Sequence, residues 1–304
     1  MTSRYFHRFI IALSTCFVLL GCDRENRLPD AITENVSSIL LNTARVKCKI
    51  INDAEMKIEA VGCCWSINEI PTVDDDKLEM EECGGFSAII EGLEPNTKYY
   101  VRAYTTTSKE TTYGNTLEFE TMQTTVKDIE GNVYNLFQLG NVVITKENLR
   151  TTKYNNGDPI LNITDAKAWE NCTTGARCAY NNNESNAAIS GYLYNWYATN
   201  DSRGICPAGW CIPEMNDWIL IFNMITDYYK KQLEEYNFSV KAGLRFQNGE
   251  FSGIGTTGRW WSSTQGSVER ALFFPSIEFQ PGKFSWSQDM KQEGMSVRFA
   301  LKSE

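Results

Sequence analysis

Four cysteines in the C-terminal half, Cys172, Cys178, Cys206 and Cys211, have the most chemistry to offer. A cysteine attacks only as the thiolate, which needs an electropositive, partly exposed setting. Arg203 is the one obvious cation near Cys206 and Cys211 in the sequence. The single histidine, His7, lies in an N-terminal apolar leader. With that leader removed, Ser-His-Asp catalysis, HExxH zinc sites and imidazole acid–base chemistry are all excluded. Glu214 and Asp217 lie on adjacent turns of one expected helix, whereas glycosidase carboxylates must oppose each other across a cleft. Their natural role is to favour the helix dipole. Gly253-Ile254-Gly255 lacks the strand-to-helix context and the lysine of a phosphate loop. Asp74-Asp75-Asp76 lacks the glycine and distal glutamate of a calcium loop and reads as a solvated turn. No metal or cofactor set emerges.

The N-terminus explains where such a chain goes. Arg4 and Arg8 precede an apolar run from Phe9 to Leu20, followed by Gly21-Cys22. A charged start, a short apolar run and a small residue before cysteine make a secretory signal over residues 1–21. The run is too short to span a bilayer, which takes ~20 apolar residues. Leu19-Leu20-Gly21-Cys22 resembles the bacterial lipobox, which implies that Cys22 is acylated and becomes the mature N-terminus. Residues 22–31 are then a tether. Its acidic Asp23-Arg24-Glu25 start resembles the export signal of Bacteroidetes lipoproteins, which implies lipid anchoring at the outer membrane and display on the cell surface. The net charge of −9, more negative once Arg4 and Arg8 are removed, argues against a nucleic-acid partner. Eight cysteines remain beyond Cys16 and Cys22, four in each half. An even count in each half of an exported chain points to disulfides. The adjacent Cys63-Cys64 favours buried thiols in the first half, so the pairing of Cys48, Cys63, Cys64 and Cys83 stays open.

At 304 residues the chain has room for about two domains. Residues 32–122 alternate in period two: Ala44, Val46, Cys48 and Ile50 interleave with Arg45, Lys47 and Lys49, and Val61, Cys63 and Trp65 repeat the pattern. Tyr99–Tyr104 and Leu117–Thr121 supply further strands, as in a β-sandwich. Leu93-Glu94-Pro95-Asn96-Thr97-Lys98-Tyr99 resembles the tyrosine corner of fibronectin type III domains, which implies a module that spaces or presents another.

Residues 123–304 form the second domain. Val126 to Thr145 reads as paired strands with turns at Gly131 and near Gly140. Asp165 to Glu170 is an expected short helix capped by Thr164, and Ala187 to Ala198 an expected helix burying aromatic rings. Met215, Trp218, Phe222, Ile225 and Tyr229 recur at helical spacing after Pro213. The remainder, from Gly243, is glycine-rich, with Ala271–Phe274 and Val297–Leu301 as closing strands.

Three stretches in this order, Gly191-Tyr192-Leu193-Tyr194-Asn195-Trp196-Tyr197-Ala198 with Cys206-Pro207-Ala208-Gly209-Trp210, then Gly258–Thr264 and Gly294–Ala300, resemble the Fibrobacter succinogenes major paralogous domain. The resemblance covers roughly residues 125–304. It implies an α+β C-type-lectin-like fold, a surface location and no established enzymatic activity. The family usually has histidine after Gly-Trp, where this chain has Cys211. It commonly has cysteine at the positions of Cys178 and Cys206, which implies a Cys178–Cys206 bridge and leaves Cys172–Cys211 as an added one, although four cysteines allow three pairings. Trp260 and Trp261 fall in the core by the same resemblance. A ligand site is expected on the glycine-rich loops. Trp286, with Gln288 and Asp289 after the Pro281-Gly282 turn, could stack on a sugar and bond its hydroxyls, the alternative being a buried ring on a strand. The expected function is a non-catalytic, surface-anchored binding or adhesion lipoprotein whose partner is a glycan or a surface protein. The alternatives are a structural component of an envelope or pilus-like assembly, and an enzyme related to the formylglycine-generating oxidases.

Overall fold

The computed structural model describes residues 28–52, 56–81, 84–228, 243–254, 258–276 and 287–302. Cys22, Cys83 and Trp286 lie outside the described residues.

The first domain is a two-sheet sandwich. One sheet joins β1 (Asp30–Ser37), β2 (Thr43–Ile51) and β5 (Gly85–Glu91) in the order β1-β2-β5. The other joins β4 (Asp76–Met80), β3 (Ile58–Ser66), β6 (Lys98–Thr107) and β7 (Thr111–Tyr113), with β8 (Leu117–Glu120) also on β6. β1 starts at Asp30, inside the expected tether. The alternation in β2 buries Ala44, Val46, Cys48 and Ile50, and they meet Val61, Cys63, Trp65, Val101 and Phe119 of the facing sheet. The Tyr99 hydroxyl accepts the Glu94 N–H at 3.0 Å, tying the turn Leu93–Thr97 to the strand it feeds. That bond is the geometry of a tyrosine corner, and the fibronectin III-like expectation matches this strand order.

The second domain is joined to the first by packing. Leu40 and Leu41, in the β1–β2 turn, are buried with Leu136 and Val143. The strands here are β9 (Thr125–Lys127), β10 (Val133–Leu139), β11 (Val142–Thr145) and the C-terminal β20 (Ala300–Lys302), ordered β20-β11-β10-β9. Gln138 on β10 accepts the Asn42 N–H at 3.1 Å and donates to the Thr43 hydroxyl at 2.9 Å. The turns fall at Gly131 and Gly140, both with positive φ, as their positions in the pattern require.

Short elements follow: β12 (Leu161–Asn162), α1 (Ala166–Glu170), β13 (Ala176–Cys178), α2 (Glu184–Ser190), β14 (Leu193–Tyr194) and α3 (Trp196–Thr199). Two expectations change here. The cap of α1 is Asp165, whose carboxylate accepts the Ala168 N–H at 2.7 Å, rather than Thr164. The helix expected over Ala187–Ala198 is broken into α2 and α3. Gly191 ends α2 at φ 75°, and a Cβ there would sit 2.6 Å from the Leu149 carbonyl oxygen, so the chain turns and Tyr192 bonds back to Leu149. α4 (Met215–Tyr228) is the long helix, as its spacing predicts. After it come β15 (Leu244–Arg245), β16 (Phe251–Ser252), β17 (Gly258–Gln265), β18 (Arg270–Ser276) and β19 (Ser287–Met290). Trp260 and Trp261 of β17 are fully buried in neighbouring cores, Trp261 donating its indole N–H to the Tyr194 carbonyl at 2.8 Å. Among the described residues no helix is long and apolar enough to cross a membrane.

Candidate functional site

The segment Asn200–Ile212 between α3 and α4 builds an open cleft. Its entrance is fixed by Arg203, which donates to Asp201 at 2.9 and 2.8 Å and to Asp158 at 3.1 Å, with its guanidinium 3.9 Å from the Tyr154 ring centroid. Asn155 N–H donates to the Gly204 carbonyl at 2.9 Å, and the Asn155 amide donates to the Cys206 carbonyl. A tight turn follows, closed by Trp210 N–H to the Pro207 carbonyl at 3.0 Å with Gly209 at φ 83°. Cys211 then pairs with Ala300 through both backbone bonds, 3.0 and 2.8 Å, so the C-terminal strand clamps the far end.

The cleft has a volume of about 460 Å³ and is lined by Asn155, Thr199, Cys206, Trp210, Glu214 and Ser263 among others. Trp210 is half-buried, its ring edge-on to Phe299 at 5.5 Å, and so is held by the core while it borders the cleft. Glu214 is exposed at the α4 start, where its N–H donates to the Asp217 carboxylate at 3.1 Å. That bond makes Asp217 an acceptor at the helix start. Among the described residues, no lysine or arginine lines the cleft. An indole, an amide, hydroxyls and one carboxylate without a cation suit a neutral, hydroxyl-rich ligand better than an anionic one.

The predicted site residues fare differently. The structure shows no disulfide among Cys172, Cys178, Cys206 and Cys211. Cys178 packs with Trp169, Cys172 and Leu193, whereas Cys206 belongs to the core around Tyr134 and Trp261, and Cys211 is exposed. Cys172 lies against Thr174 and Asn195, with its sulfur 3.1 Å from the Thr174 carbonyl. Cys178 and Cys206 thus lie in different packing clusters, and Cys172 shares that of Cys178. Burial pushes the Cys178 thiol up to about 11, against the opposing pull of Arg245. Burial, and then the neighbouring Cys211, push Cys206 up as well. Thiols held protonated in this way are poor nucleophiles.

Of the expected ligand trio, Trp286 lies outside the described residues. Gln288 is exposed on β19, and the partly exposed Asp289 carboxylate pairs with Arg259 at 3.2 Å. A second hollow, about 420 Å³, lies between the domains. Its Asn42 and Thr43 are both bonded to Gln138 across the joint, and among the described residues no ring lines it. In the sequence Trp210 stands out only as part of the Cys206–Trp210 motif. A tryptophan set between Pro207, Gly209 and Pro213 was the available signal, since such a ring cannot lie inside a regular element.

A family model described as the Fibrobacter succinogenes major domain matches residues 137–300, just over half of the chain. No curated protein matches the sequence. Solved structures similar to part of the chain include the sensor domain of the anti-sigma factor RsgI4 in Pseudobacteroides cellulosolvens, at 11% identity over 32% of this chain and 98% of that one, with a TM-score of 0.25. They also include the sixth fibronectin type III domain from human fibronectin type III domain containing protein 3, at 20% identity over 32% of this chain and 89% of that one, TM-score 0.25. A further human fibronectin type III domain matches at 12% identity over 36% of this chain and 85% of that one, with the same TM-score.

Proposed function

The chain belongs to the Fibrobacter succinogenes major domain family, and on that premise we propose that it is a non-catalytic binding module whose ligand is a neutral glycan held in the Trp210 cleft. A fibronectin III-like sandwich presents a C-type-lectin-like head at the cell surface, anchored in the outer membrane through lipid on Cys22. The observation that carries the ligand reading is the indole-bordered cleft, lined by no cation among the described residues, on a segment clamped by Arg203 and β20. Sugar recognition uses such a set: a ring face against the apolar side of the sugar, with amide, hydroxyl and carboxylate groups on its hydroxyls. The protonated, buried thiols and the lack of a histidine outside the leader speak against an enzyme.

Glycan-array binding by the chain without its leader tests the reading. Trp210→Ala is expected to weaken the best-bound neutral glycan at least about tenfold, ~1.4 kcal/mol. Glu214→Gln, on the exposed rim, should alter selectivity among glycans with the melting temperature unchanged. Retained affinity in both variants would remove the cleft from consideration. No binding to any glycan would instead favour the role of an envelope-assembly component.

The anchor has its own test. Acyl chains contribute ~0.8 kcal/mol per buried CH₂, and two signals hold a protein stably on a membrane. Cys22→Ala should move the protein from the detergent phase to the aqueous phase or leave it unprocessed. Unchanged partitioning would exclude lipid attachment.

A further inference from the structure

Resting on the glycan reading of the Trp210 cleft, we infer that the cleft is one of two adjoining subsites, the second being the hollow beside Tyr197, and that the ligand is a neutral oligosaccharide lying across both. The second hollow, of about 350 Å³, is lined by Thr173, Gly175, Tyr197, Asn200, Ser202 and Arg203 among others. It shares a wall with the cleft. Thr199 lines the cleft and Asn200 the hollow, and the same change of side recurs between Gly204 and Arg203. Consecutive Cα atoms are about 3.8 Å apart, so a single turn of chain, from Asn200 to Gly204, stands between the two.

That wall is fixed from within and from both sides. The Gly204 N–H donates to the Asp201 carbonyl at 2.9 Å, with Gly204 at φ 69°, and the Arg203 N–H donates to the Asp201 carboxylate at 3.0 Å. On the cleft side, Asn155 holds the Gly204 carbonyl at 2.9 Å. On the other side, Gly175 lines the hollow where Tyr154 leaves no room for a Cβ. A site held in this way needs little ordering when a ligand arrives, and less of the contact energy is lost to entropy.

The two hollows offer different groups. In the cleft, the Asn155 amide and the Thr199 hydroxyl already donate to the Cys206 and Trp196 carbonyls, which leaves the Trp210 ring as the main contact. In the hollow, the Tyr197 hydroxyl, the Asn200 amide and the hydroxyls of Thr173 and Ser202 have no hydrogen-bond partner among the described residues. Tyr197 is half-buried and the other three are exposed. Sugar hydroxyls both donate and accept, and so do these groups. The guanidinium in the hollow, that of Arg203, is shared by Asp201 at 2.8 Å and Asp158 at 3.1 Å, so its charge is already met and does not select an anion. A ligand that reaches both hollows makes its second contact intramolecularly, so affinity grows with chain length.

The test titrates the whole chain, in detergent, with neutral gluco-, manno- and xylo-oligosaccharides from mono- to tetrasaccharide, read by calorimetry. In the series that binds, affinity should rise at least about tenfold from the monosaccharide to the trisaccharide. Tyr197→Ala and, separately, Asn200→Ala should make short and long members bind alike, whereas Trp210→Ala should weaken every length. The Asn200 side chain is exposed, so its variant reads the hollow even if Tyr197→Ala fails to fold. Equal affinity at all lengths in the unaltered chain, or an unchanged length dependence in both hollow variants, would overturn the second subsite and leave the Trp210 cleft standing. No binding at any length in any series would remove the cleft itself, and the second subsite with it.

Discussion

Trp260→Ala is expected to destabilise the second domain by about 3–5 kcal/mol, the cost of truncating a fully buried tryptophan. Trp260 is completely buried on β17, with Trp218 of α4 6.2 Å away at 34°. Its indole N–H donates to the Asn148 side-chain oxygen at 2.7 Å. The same oxygen accepts from the buried Arg298 at 3.3 Å, and the Asn148 amide donates to the Ser190 carbonyl at 2.8 Å. Arg298 also donates to the Thr145 carbonyl at 3.1 Å and lies 5.4 Å from the Trp260 ring. Burial draws the Arg298 guanidinium down to about 9, with Glu147 opposing. The ring thus supplies volume, a hydrogen bond and a π face to a buried cation in one place. Trp260→Phe keeps most of the volume and loses the N–H, so its cost should be nearer the ~1–3 kcal/mol of an unmet buried partner. Denaturant melts of the two variants check this, and a Trp260→Ala loss below about 1 kcal/mol would show that the cluster does not hold the domain together.

Glu293→Gln is expected to stabilise the protein at pH 8 by on the order of 3 kcal/mol and to leave stability unchanged at pH 4. Glu293 follows β19 and is only 5% exposed. Burial, and then the nearby Asp289, push its carboxyl from 4.5 up to about 7, against the pull of the Gln247 N–H and Arg259. One carboxylate oxygen accepts that N–H at 3.2 Å, and the other meets no partner among the described residues. Between these two values the folded chain binds the proton more tightly than the unfolded chain does. The contribution is therefore fully present below about pH 4.5 and is lost as pH rises through about 7. Glutamine has no charge to bury, so the variant should show a flatter stability profile over pH 4–8. Parallel profiles for the two proteins would assign the pH dependence elsewhere.

Local pattern was enough to read the strands. Whereas Val61 to Ser66 of β3 are buried on both faces, the alternation at Ala44–Ile50 states which face of its strand is apolar, and burial follows that face directly. The same holds for the α4 stripe, where Met215 and Trp218 are buried. The tyrosine corner was legible because Glu94 and Tyr99 are five residues apart and the bond between them is made within one turn. The break of the expected aromatic helix was less so. Gly191 alone costs a helix only ~1 kcal/mol, and what ends α2 there is the close approach of Leu149 and Asn148 from a segment some forty residues earlier.

The sequence by itself determined the two-domain order, the apolar faces of the strands, the long helix and the absence of histidine beyond His7, because each depends on composition or on neighbours within a few residues. Only the tertiary structure decided that Cys178 and Cys206 lie in separate cores, that Asp289 pairs with Arg259, that Asn148 joins Trp260 to Arg298, and that Trp210 borders a cleft closed by the C-terminal strand. These depend on the distance between side chains far apart in sequence. Periodicity specifies which way a residue faces, but the partner it meets is set by how the sheets, loops and helices pack.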